Sequence, residues 1–416
     1  MIEQDMSFNF TIVLAWFALS ALPVALVMGI GLARMWARKL LPRRSAQTLK
    51  PPPTQVLVPV KGRIPQQETV LASLLEQTHP CYDVTFILES EDDPANETVD
   101  ALCARYGHCR KLIAGIADLC AQKNHNLIAG IRELRPETEI VVFCDSTNSA
   151  DSDWLQRFTS HLGTRGAQVV TTFRVFNPEP QRLWGICQAI YGAALFVALA
   201  VKPKPWGGAT AIRRDILLQL DVAENWAKTI VDDLVLGNLL DRAGFKVLVA
   251  FDSRLTSPLP NQSLNGLLNY LDRQLVFPKF TNPGIWLATL IVLVNVAAAV
   301  GVALVMPWLS LAGVTDAIYL LAALAFLLVV ECTVLPLRVL NPFGIPLSKW
   351  AVCAVPLVFL CAYLLVRSVF RDYLIWHGKR YRAGRGGVVM QVTAESGSIP
   401  DASTRKTRPW IPPKAV

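Results

Sequence analysis

The sequence is short of charged side chains, and this shortage argues against an ordinary soluble enzyme. Only 17% of its 416 residues are charged while 52% are hydrophobic, against about 25% charged residues in a typical soluble domain. The composition therefore indicates membrane-spanning segments joined to a soluble part. The net charge of +8 does not indicate a nucleic-acid partner, because much of the basic excess lies beside apolar segments.

The sequence also lacks the residue patterns of a zinc site or a disulfide framework. It has only five histidines, and its nine cysteines are scattered without a Cys-x-x-Cys pair. Zinc sites built from cysteine and histidine use such short spacings, and disulfide frameworks are typical of small secreted domains. We therefore expect reduced thiols and no zinc.

Four long apolar runs predict membrane segments. The first, at residues 11–33, has no basic residues before it and no cleavage pattern, so a retained anchor is expected. Acids precede this run and bases follow it, which favours an outward N-terminus and a cytoplasmic chain from residue 36 onward. The other three runs lie after Pro283, at residues 285–309, 311–335 and 350–366.

The number of crossings conflicts with the charge of the C-terminal segment. Four crossings from an outward N-terminus place the C-terminus outside, whereas the basic residues after 366 favour the inside. Pro356 is compatible with a re-entrant or interfacial last segment, so both alternatives stay open.

Residues 183–201 are also apolar, and they predict either a buried core helix or a helix at the membrane surface that admits a lipid.

Residues 55–252 alternate between strand and helix patterns. The predicted strands lie at 55–60, 84–88, 139–144, 168–173 and 245–251, and the predicted helices lie at 68–76, 96–106 and 124–134. This alternation is typical of a parallel α/β sheet that is covered on both faces. In such sheets, ligands bind at the carboxyl ends of the strands.

Acidic residues stand at several of these ends. Asp93 and Asp145 come at or shortly after the end of a predicted strand, and Asp232 and Asp233 open a helix with one apolar face. Thr229 and Asp232 have the spacing of a capping box, which predicts a capping role for Asp232. Two acids at a positive helix N-terminus are ordinary by themselves. Acidic residues at the ends of several elements along one edge of the sheet favour a functional site there.

Short motifs in a fixed order and spacing lie between residues 59 and 382, within a resemblance that covers roughly residues 10–390. They are Pro59-Val-Lys-Gly62, Glu91-Asp-Asp-Pro-Ala95, Lys123-Asn-His-Asn-Leu127, Cys144-Asp-Ser146, Gln188-Ala-Ile-Tyr-Gly192, Val231-Asp-Asp-Leu234, Asp241-Arg-Ala-Gly-Phe245 and Gly378-Lys-Arg-Tyr-Arg382. Together they resemble the motifs of membrane-bound family 2-type glycosyltransferases, most closely the ceramide glucosyltransferase branch. The chain departs from that branch at its Gln/Arg-x-x-Arg-Trp motif, because Val276 and Phe277 follow Arg273 where the family has Arg and Trp.

The resemblance implies an α/β GT-A-type nucleotide-sugar-binding domain plus transmembrane helices. It implies an inverting hexosyltransferase that moves a single sugar from a nucleotide sugar, a UDP-hexose, to the hydroxyl of a ceramide-like membrane lipid. The expected division is an anchor at 1–50, a cytoplasmic catalytic domain at 51–282, transmembrane helices at 283–372, and a basic then disordered tail at 373–416. We expect a multi-pass protein of a bacterial inner membrane rather than of the Golgi.

The resemblance also implies roles for individual residues. The catalytic base is Asp233; the nucleotide-sugar ligands are Lys61, Asp93, Lys123, Asn126 and Asp145; the acceptor residues are Trp206, Gly207, Gly208, Asp232 and Arg273. Asp145 is a hard oxygen ligand at a strand end and is therefore the candidate for holding Mg2+ or Mn2+.

Each of these residues also has an ordinary structural explanation. Asp145 suits a loop cap, Asp93 a helix cap, Lys123 a solvated helix start, and Trp206 a core position beside a tight turn.

Alternative functions of the protein are a hopanoid-type lipid glycosyltransferase, a processive polysaccharide synthase, and an inactive lipid-binding scaffold. The sequence indicates neither the sugar nor the lipid.

Overall fold

The computed structural model describes residues 2–40, 51–376 and 378–394. The helices are α1 (Ile2–Leu40), α2 (Gln67–Leu75), α3 (Asn96–Arg105), α4 (Gln122–Arg132), α5 (Trp154–Ser160), α6 (Leu183–Val201), α7 (Arg214–Gln219), α8 (Val222–Trp226), α9 (Asp233–Ala243), α10 (Leu264–Thr281), α11 (Pro283–Leu311), α12 (Ala317–Val334) and α13 (Leu347–Val369). The strands are β1 (Thr54–Pro59), β2 (Tyr82–Leu88), β3 (Cys109–Ile113), β4 (Ile140–Cys144), β5 (Val169–Thr171), β6 (Arg174–Glu179), β7 (Ala209–Arg213), β8 (Val247–Val249), β9 (Leu255–Pro260), β10 (Tyr373–Trp376), β11 (Lys379–Ala383) and β12 (Val389–Ala394).

The main sheet has seven strands in the order β3-β2-β1-β4-β7-β5-β8. Its neighbouring strands are parallel except at β7, which runs antiparallel to both β4 and β5. The carboxyl ends of the other strands therefore lie along one edge. The prediction of a mostly parallel α/β sheet with apolar helices is confirmed. The sequence patterns did not reveal β3, β6, β7 and β9.

The central strands are nearly continuous apolar runs because helices cover both faces of the sheet. Leu57 and Phe143 are buried on one face, together with residues of α4 and α9. Val58 and Val142 are buried on the other face, together with residues of α2, α3 and α5. The core thus fixes the strand ends, and the loops that follow them carry the site.

Within the described part of the chain, five helices are long and apolar enough to cross a membrane: α1, α6, α11, α12 and α13. The sequence did not decide whether residues 183–201 form a core helix or a helix at the membrane surface. In the structure these residues form α6, and 67% of its most apolar part is buried, compared with 17% of the corresponding part of α1. Its residues Ile190 and Phe196 share an apolar cluster with Met28 of α1 and Leu357 of α13. α6 therefore joins the sheet domain to the long apolar helices.

Strands β10, β11 and β12 form a separate antiparallel sheet in the order β10-β11-β12. The sequence predicted only a basic and then disordered tail in this region, so the ordered sheet corrects that expectation. Along β11, Arg380 and Arg382 are exposed while Tyr381 and Ala383 are buried, which is the two-residue period of a strand on a core. The part of the expected tail from 395 to 416 lies outside the described residues.

Candidate active site

Lys123, in the first turn of α4, lies among acids at the carboxyl edge of the sheet. Its Nζ is 2.8 Å from Oδ1 of Asp145 and 3.0 Å from Oδ2 of Asp232. It also donates to the carbonyl oxygen of Gly207 at 3.1 Å. Burial opposes the charge of this ammonium group, but the nearby carboxylates of Asp145, Asp232 and Asp233 outweigh it and raise the pKa of Lys123. Lys123 therefore stays charged and links α4, the end of β4 and the start of α9.

Asp233 is the first residue of α9, and its surroundings differ from those of Asp232. Its Oδ2 accepts a hydrogen bond from the backbone N–H of Gly207 at 3.0 Å, and its Oδ1 accepts one from Leu234 at 2.7 Å. Burial and the adjacent Asp232 raise the pKa of Asp233 to about 6, although Lys123 and the two N–H groups act in the opposite direction. A carboxylate with a pKa close to neutrality suits a general base.

Asp232 does not cap α9, so the capping-box prediction is wrong. No side-chain hydrogen bond caps this helix at Asp232, and the carboxylate is paired with Lys123 instead. The Thr229 hydroxyl donates to the carbonyl of Asn225 at 3.3 Å and accepts from Asn124 at 3.2 Å. A buried ammonium group is a stronger partner for a carboxylate than a backbone N–H, which explains the difference.

Gly207 and Gly208 allow the loop after α6 to lie directly against these acids. A Cβ atom at Gly207 would be 2.2 Å from Oδ2 of Asp232 and 2.8 Å from Nζ of Lys123. A Cβ atom at Gly208 would be 2.1 Å from the Trp206 ring. Both distances are shorter than Cβ atoms show, so a side chain at either position would displace the Asp232–Lys123 pair or the Trp206 ring.

Lys61 and Asp93 lie together at the ends of β1 and β2. Oδ1 of Asp93 accepts hydrogen bonds from the backbone N–H of Gly62 at 2.8 Å and of Ala95 at 2.9 Å. Nζ of Lys61 is 2.6 Å from Oε2 of Glu89. Asp93 thus shapes the turn before α3 instead of capping that helix, whose N-cap residue is Ala95, and it also holds the backbone of Gly62 at the sheet edge.

Asn126 occupies a different environment from the one expected for a ligand residue. Its Nδ2 donates to the carbonyl of Ile87 at 3.0 Å, and its Oδ1 accepts from Gln122 at 2.8 Å. The residue is 2% exposed. Asn126 therefore connects α4 to β2, and both Nδ2 and Oδ1 of its side-chain amide already have hydrogen-bond partners.

Trp206 and Arg273 lie on the side of the site that faces the apolar helices. The Trp206 ring is half-buried and packs on Phe173, with 4.6 Å between the ring centroids. Arg273 is half-buried on α10, one turn after Tyr270. Val276 and Phe277 are buried in the core, so the departure from the family motif places apolar side chains in an apolar environment.

The C-terminal sheet contacts the segment that leads into Asp232, a feature that the sequence reasoning missed. The backbone N–H of Ile230 donates to the carbonyl of Gly387 at 2.9 Å, and that of Val389 donates to Lys228 at 2.9 Å. Burial raises the pKa of Tyr381 to about 12, although a hydrogen bond from the backbone of Gln122 opposes this shift. The sheet thus braces the starts of α4 and α9. The alternation of basic and buried residues in β11 is the sequence pattern that could have predicted this sheet.

One open cavity lies elsewhere in the fold. It has a volume of about 1070 Å³ and is lined by residues such as Ile140, Gln168 and Arg213, at the amino edge of the sheet. None of the predicted site residues lines it. The predicted site residues therefore lie at the edge of the sheet opposite to this cavity.

A mostly parallel α/β sheet with carboxylates and a lysine at its carboxyl edge presents these groups where such folds bind ligands. The sequence profile of glycosyl transferase family 21 matches residues 16–389. The chain belongs to this family and is a nucleotide-sugar-dependent hexosyltransferase, as the resemblance implied. A search of curated protein sequences finds no match.

Three solved structures show distant similarity. A mannosyltransferase from Pyrobaculum calidifontis, in complex with GDP-Man and Mn2+, is 16% identical, with a TM-score of 0.46 over 85% of this chain and 99% of its own. A 4-diphosphocytidyl-2C-methyl-D-erythritol synthase from Anaerococcus prevotii is 11% identical, with a TM-score of 0.34 over 49% of this chain and 87% of its own. A mycobacterial protein is 17% identical, with a TM-score of 0.34 over 54% of this chain and 74% of its own.

Proposed function

We propose that the enzyme transfers one sugar from a UDP-hexose to the hydroxyl of a ceramide-like membrane lipid, with inversion at the anomeric carbon. The observation that carries this proposal is the Asp233 carboxylate, held by Gly207 beside the Lys123–Asp145 pair. The loop that holds it follows directly after the apolar helix α6. This connection supports a membrane lipid as the acceptor, because the loop that orients the acid begins at the end of an apolar helix.

Asp233 acts as the general base in the proposed reaction. It accepts the proton of the acceptor hydroxyl while that oxygen attacks the anomeric carbon and the nucleoside diphosphate leaves. A single displacement places the new bond on the face opposite the leaving group, which inverts the configuration. Lys123 keeps two neighbouring carboxylates in place, and the N–H of Gly207 orients Asp233.

Asp145 is suited to supply one of several ligands to a divalent metal ion. Among the described residues, no group of three or more His, Cys, Asp or Glu side chains could hold a metal ion. Mg2+ commonly binds through one or two carboxylates together with substrate phosphates and water. The Asp145 side chain is 25% exposed at the end of β4 and meets that description. Bound there, Mg2+ or Mn2+ would stabilise the charge that develops on the leaving diphosphate.

Transfer is expected to lose rate as the pH falls through about 6, because protonation removes the base. Burial and Asp232 raise the pKa of Asp233 to about 6, so the carboxylate is ionised at neutral pH and becomes protonated below that value. The measurement is kcat/KM against pH, which reports the free enzyme. A profile that stays flat down to about pH 4.5 would show that no group with this pKa acts as the base.

Gly387→Val is expected to reduce turnover by about 10- to 100-fold, because it disturbs the brace behind Asp232 and Asp233. A Cβ atom at Gly387 would be 3.0 Å from Cγ2 of Thr281. Gly386→Val is the matched control: φ is +79° at Gly386 and +76° at Gly387, but nothing lies within 4 Å of a Cβ at Gly386. Steady-state kinetics on both variants provide the test. Equal losses would mean that backbone strain alone, and not the contact, is responsible.

We further propose that only α1, α11 and α12 cross the membrane completely. α11 leaves the catalytic domain at Pro283, and the segment after α12 contacts the domain again. Arg254 donates to the carbonyl of Leu340 at 2.7 Å. Asn341 donates to the carbonyl of Phe176 at 3.0 Å. These contacts support a hairpin of α11 and α12 that returns to the side from which it started.

The far end of α13 also contacts the catalytic domain. Asp272 of α10 pairs with Arg367 at 2.9 Å and with Arg371 at 3.0 Å. Lys279 donates to the carbonyl of Ser368 at 2.7 Å. A helix with both ends on one side lies along the interface, as the presence of Pro356 allows. This arrangement supports a domain at 51–282 and a C-terminus on the same side of the membrane region at 283–372. We assign this side to the cytoplasm because basic residues follow the first apolar run, and we propose the inner membrane of a bacterium as the location.

Cysteine labelling tests this topology in a variant without the native cysteines. Val314→Cys, between α11 and α12, is expected to react from the face opposite to Leu347→Cys and Arg385→Cys in sealed vesicles. All three positions are exposed. Reaction of Leu347→Cys and Arg385→Cys from opposite faces would show that α13 crosses the membrane.

Mass spectrometry of lipid extracts after expression tests the function as a whole. The expected product is a membrane lipid carrying one hexose. A glycosylated polycyclic lipid would indicate the hopanoid-type alternative, and a polymer would indicate a processive synthase. Membranes that bind lipid but release no nucleoside diphosphate from labelled UDP-hexose or GDP-hexose would indicate an inactive scaffold.

A further inference from the structure

Arg174, the first residue of β6, is a half-buried cation at the carboxyl edge of the sheet. Among the described residues, no carboxylate oxygen lies within 4.0 Å of its side-chain nitrogens. Its Nε is buried and has no hydrogen-bond partner. Withdrawing a charged group from water without an opposite charge is unfavourable. The position of this guanidinium group therefore requires an explanation beyond folding.

Three aromatic rings surround the guanidinium group. Its Cζ is 4.8 Å from the ring centroid of Phe176, 5.3 Å from that of Trp206 and 5.8 Å from that of Tyr270. These distances are within the range of cation–π attraction, which holds the group in one place. The rings do not neutralise its charge, so the charge is fixed in position and still available.

Nη1 of Arg174 donates to a neutral hydroxyl group, Oγ1 of Thr147, at 3.3 Å. Thr147 is in the loop that begins at Asp145. Lys123, by contrast, is engaged by the carboxylates of Asp145 and Asp232. The positive charge of Arg174 thus lies at the end of the Asp145 loop without a matching negative charge.

We propose that Arg174 binds a phosphate group of a substrate, at the side of the 206–208 loop that faces the apolar helices. This inference rests on the proposed function and adds a phosphate-binding residue to the same site. A guanidinium group presents a planar set of N–H donors that matches phosphate oxygens, and aromatic stacking preserves that orientation. The phosphate belongs either to the diphosphate of the donor or to the head group of a phospholipid that lies beside the acceptor.

Nucleotide binding by the full-length enzyme in nanodiscs tests the first source. UDP and GDP are the probes, with Arg174→Gln, Arg174→Lys and the control Arg213→Gln. Arg213 is exposed, pairs with Asp215 and lies at the opposite edge of the sheet. Loss of a hydrogen-bonded charge should weaken binding of the preferred nucleotide by about 10- to 100-fold in Arg174→Gln. Arg174→Lys should retain part of the affinity, and Arg213→Gln should bind like the parent enzyme.

Transfer kinetics test the second source. Ceramide is presented in nanodiscs of neutral lipid, with and without added phosphatidylglycerol. If a phospholipid head group supplies the phosphate, Arg174→Gln should bind nucleotide normally while its KM for ceramide in the presence of phosphatidylglycerol rises about tenfold or more. The KM for ceramide in neutral lipid alone should then stay the same.

The inference is overturned if Arg174→Gln keeps its nucleotide affinity and both KM values, because the guanidinium group then serves only packing. Should Arg174→Gln fail to fold, Arg174→Lys decides the matter: it keeps the charge and loses the planar fork, so unchanged binding and KM values overturn the proposal. Failure of the parent enzyme to bind either nucleotide or to transfer sugar contradicts the proposed function itself. Normal parent activity with unaffected Arg174 variants contradicts only this inference.

Discussion

Asp233→Asn is expected to lower turnover by about two to four powers of ten, the usual scale for losing a positioned general base. Asparagine keeps the shape of the side chain and its hydrogen bond to Gly207, but it cannot take a proton from the acceptor. Nucleotide affinity should be retained, because the groups expected to hold the diphosphate lie on other elements. The measurements are kcat with saturating substrates and nucleotide binding in the same membrane preparation.

Asp232→Asn is the matched variant, and its expected effects differ. Asp232 is the partner of the buried Lys123, so losing its charge should destabilise the fold by about 1.5–3 kcal/mol. Because Asp232 raises the pKa of Asp233, its replacement should also move the acid limb of the pH profile to lower pH. Turnover near neutral pH should fall far less than in Asp233→Asn. If Asp232→Asn abolishes turnover and Asp233→Asn does not, the roles of the two acids are reversed.

Chelation of divalent cations is expected to abolish transfer, and added Mg2+ or Mn2+ should restore it. The leaving diphosphate would otherwise develop its charge without a Lewis acid, which costs several kcal/mol, on the order of 100-fold or more in rate. Asp145→Asn should reproduce this loss at ordinary metal concentrations, because a neutral amide is a weaker ligand for a hard cation. The test is the rate of transfer by the purified enzyme against free metal concentration.

Asp215→Asn is the control for this series, because Asp215 lies at the opposite edge of the sheet and pairs with Arg213. It should leave both the rate and the metal dependence unchanged. Excess metal should rescue part of the activity of Asp145→Asn if the defect is one of metal affinity. Full activity in the presence of EDTA would contradict the metal role of Asp145.

The departure at Val276 and Phe277 shows how sequence and structure complement each other. The sequence showed that the family's second basic residue and Trp are replaced after Arg273, but it gave no reason. In the structure both side chains are buried in the core beneath the C-terminal sheet. An arginine at Val276, which is 0% exposed, would bring an unpaired charge into an apolar environment. The replacement therefore agrees with the packing around it.

The sequence by itself determined the features that depend on local patterns. The predicted strands that became β1, β2, β4 and β5 are short apolar runs, and the long membrane segments are apolar over many more residues. The placement of Asp93 and Asp145 after strands followed from the same patterns, because a strand end is visible in a few consecutive residues. The motifs, read in order, indicated the family.

The tertiary structure alone decided the features that depend on contacts between distant segments. Asp232 pairs with Lys123 instead of capping its own helix, because a buried charge outcompetes a backbone N–H for the carboxylate. The return of α13 to the domain at Asp272 and the docking of Gly387 on Ile230 are likewise contacts between residues far apart in sequence. Local periodicity carries no information about such partners, because they are chosen by the packing of the whole chain.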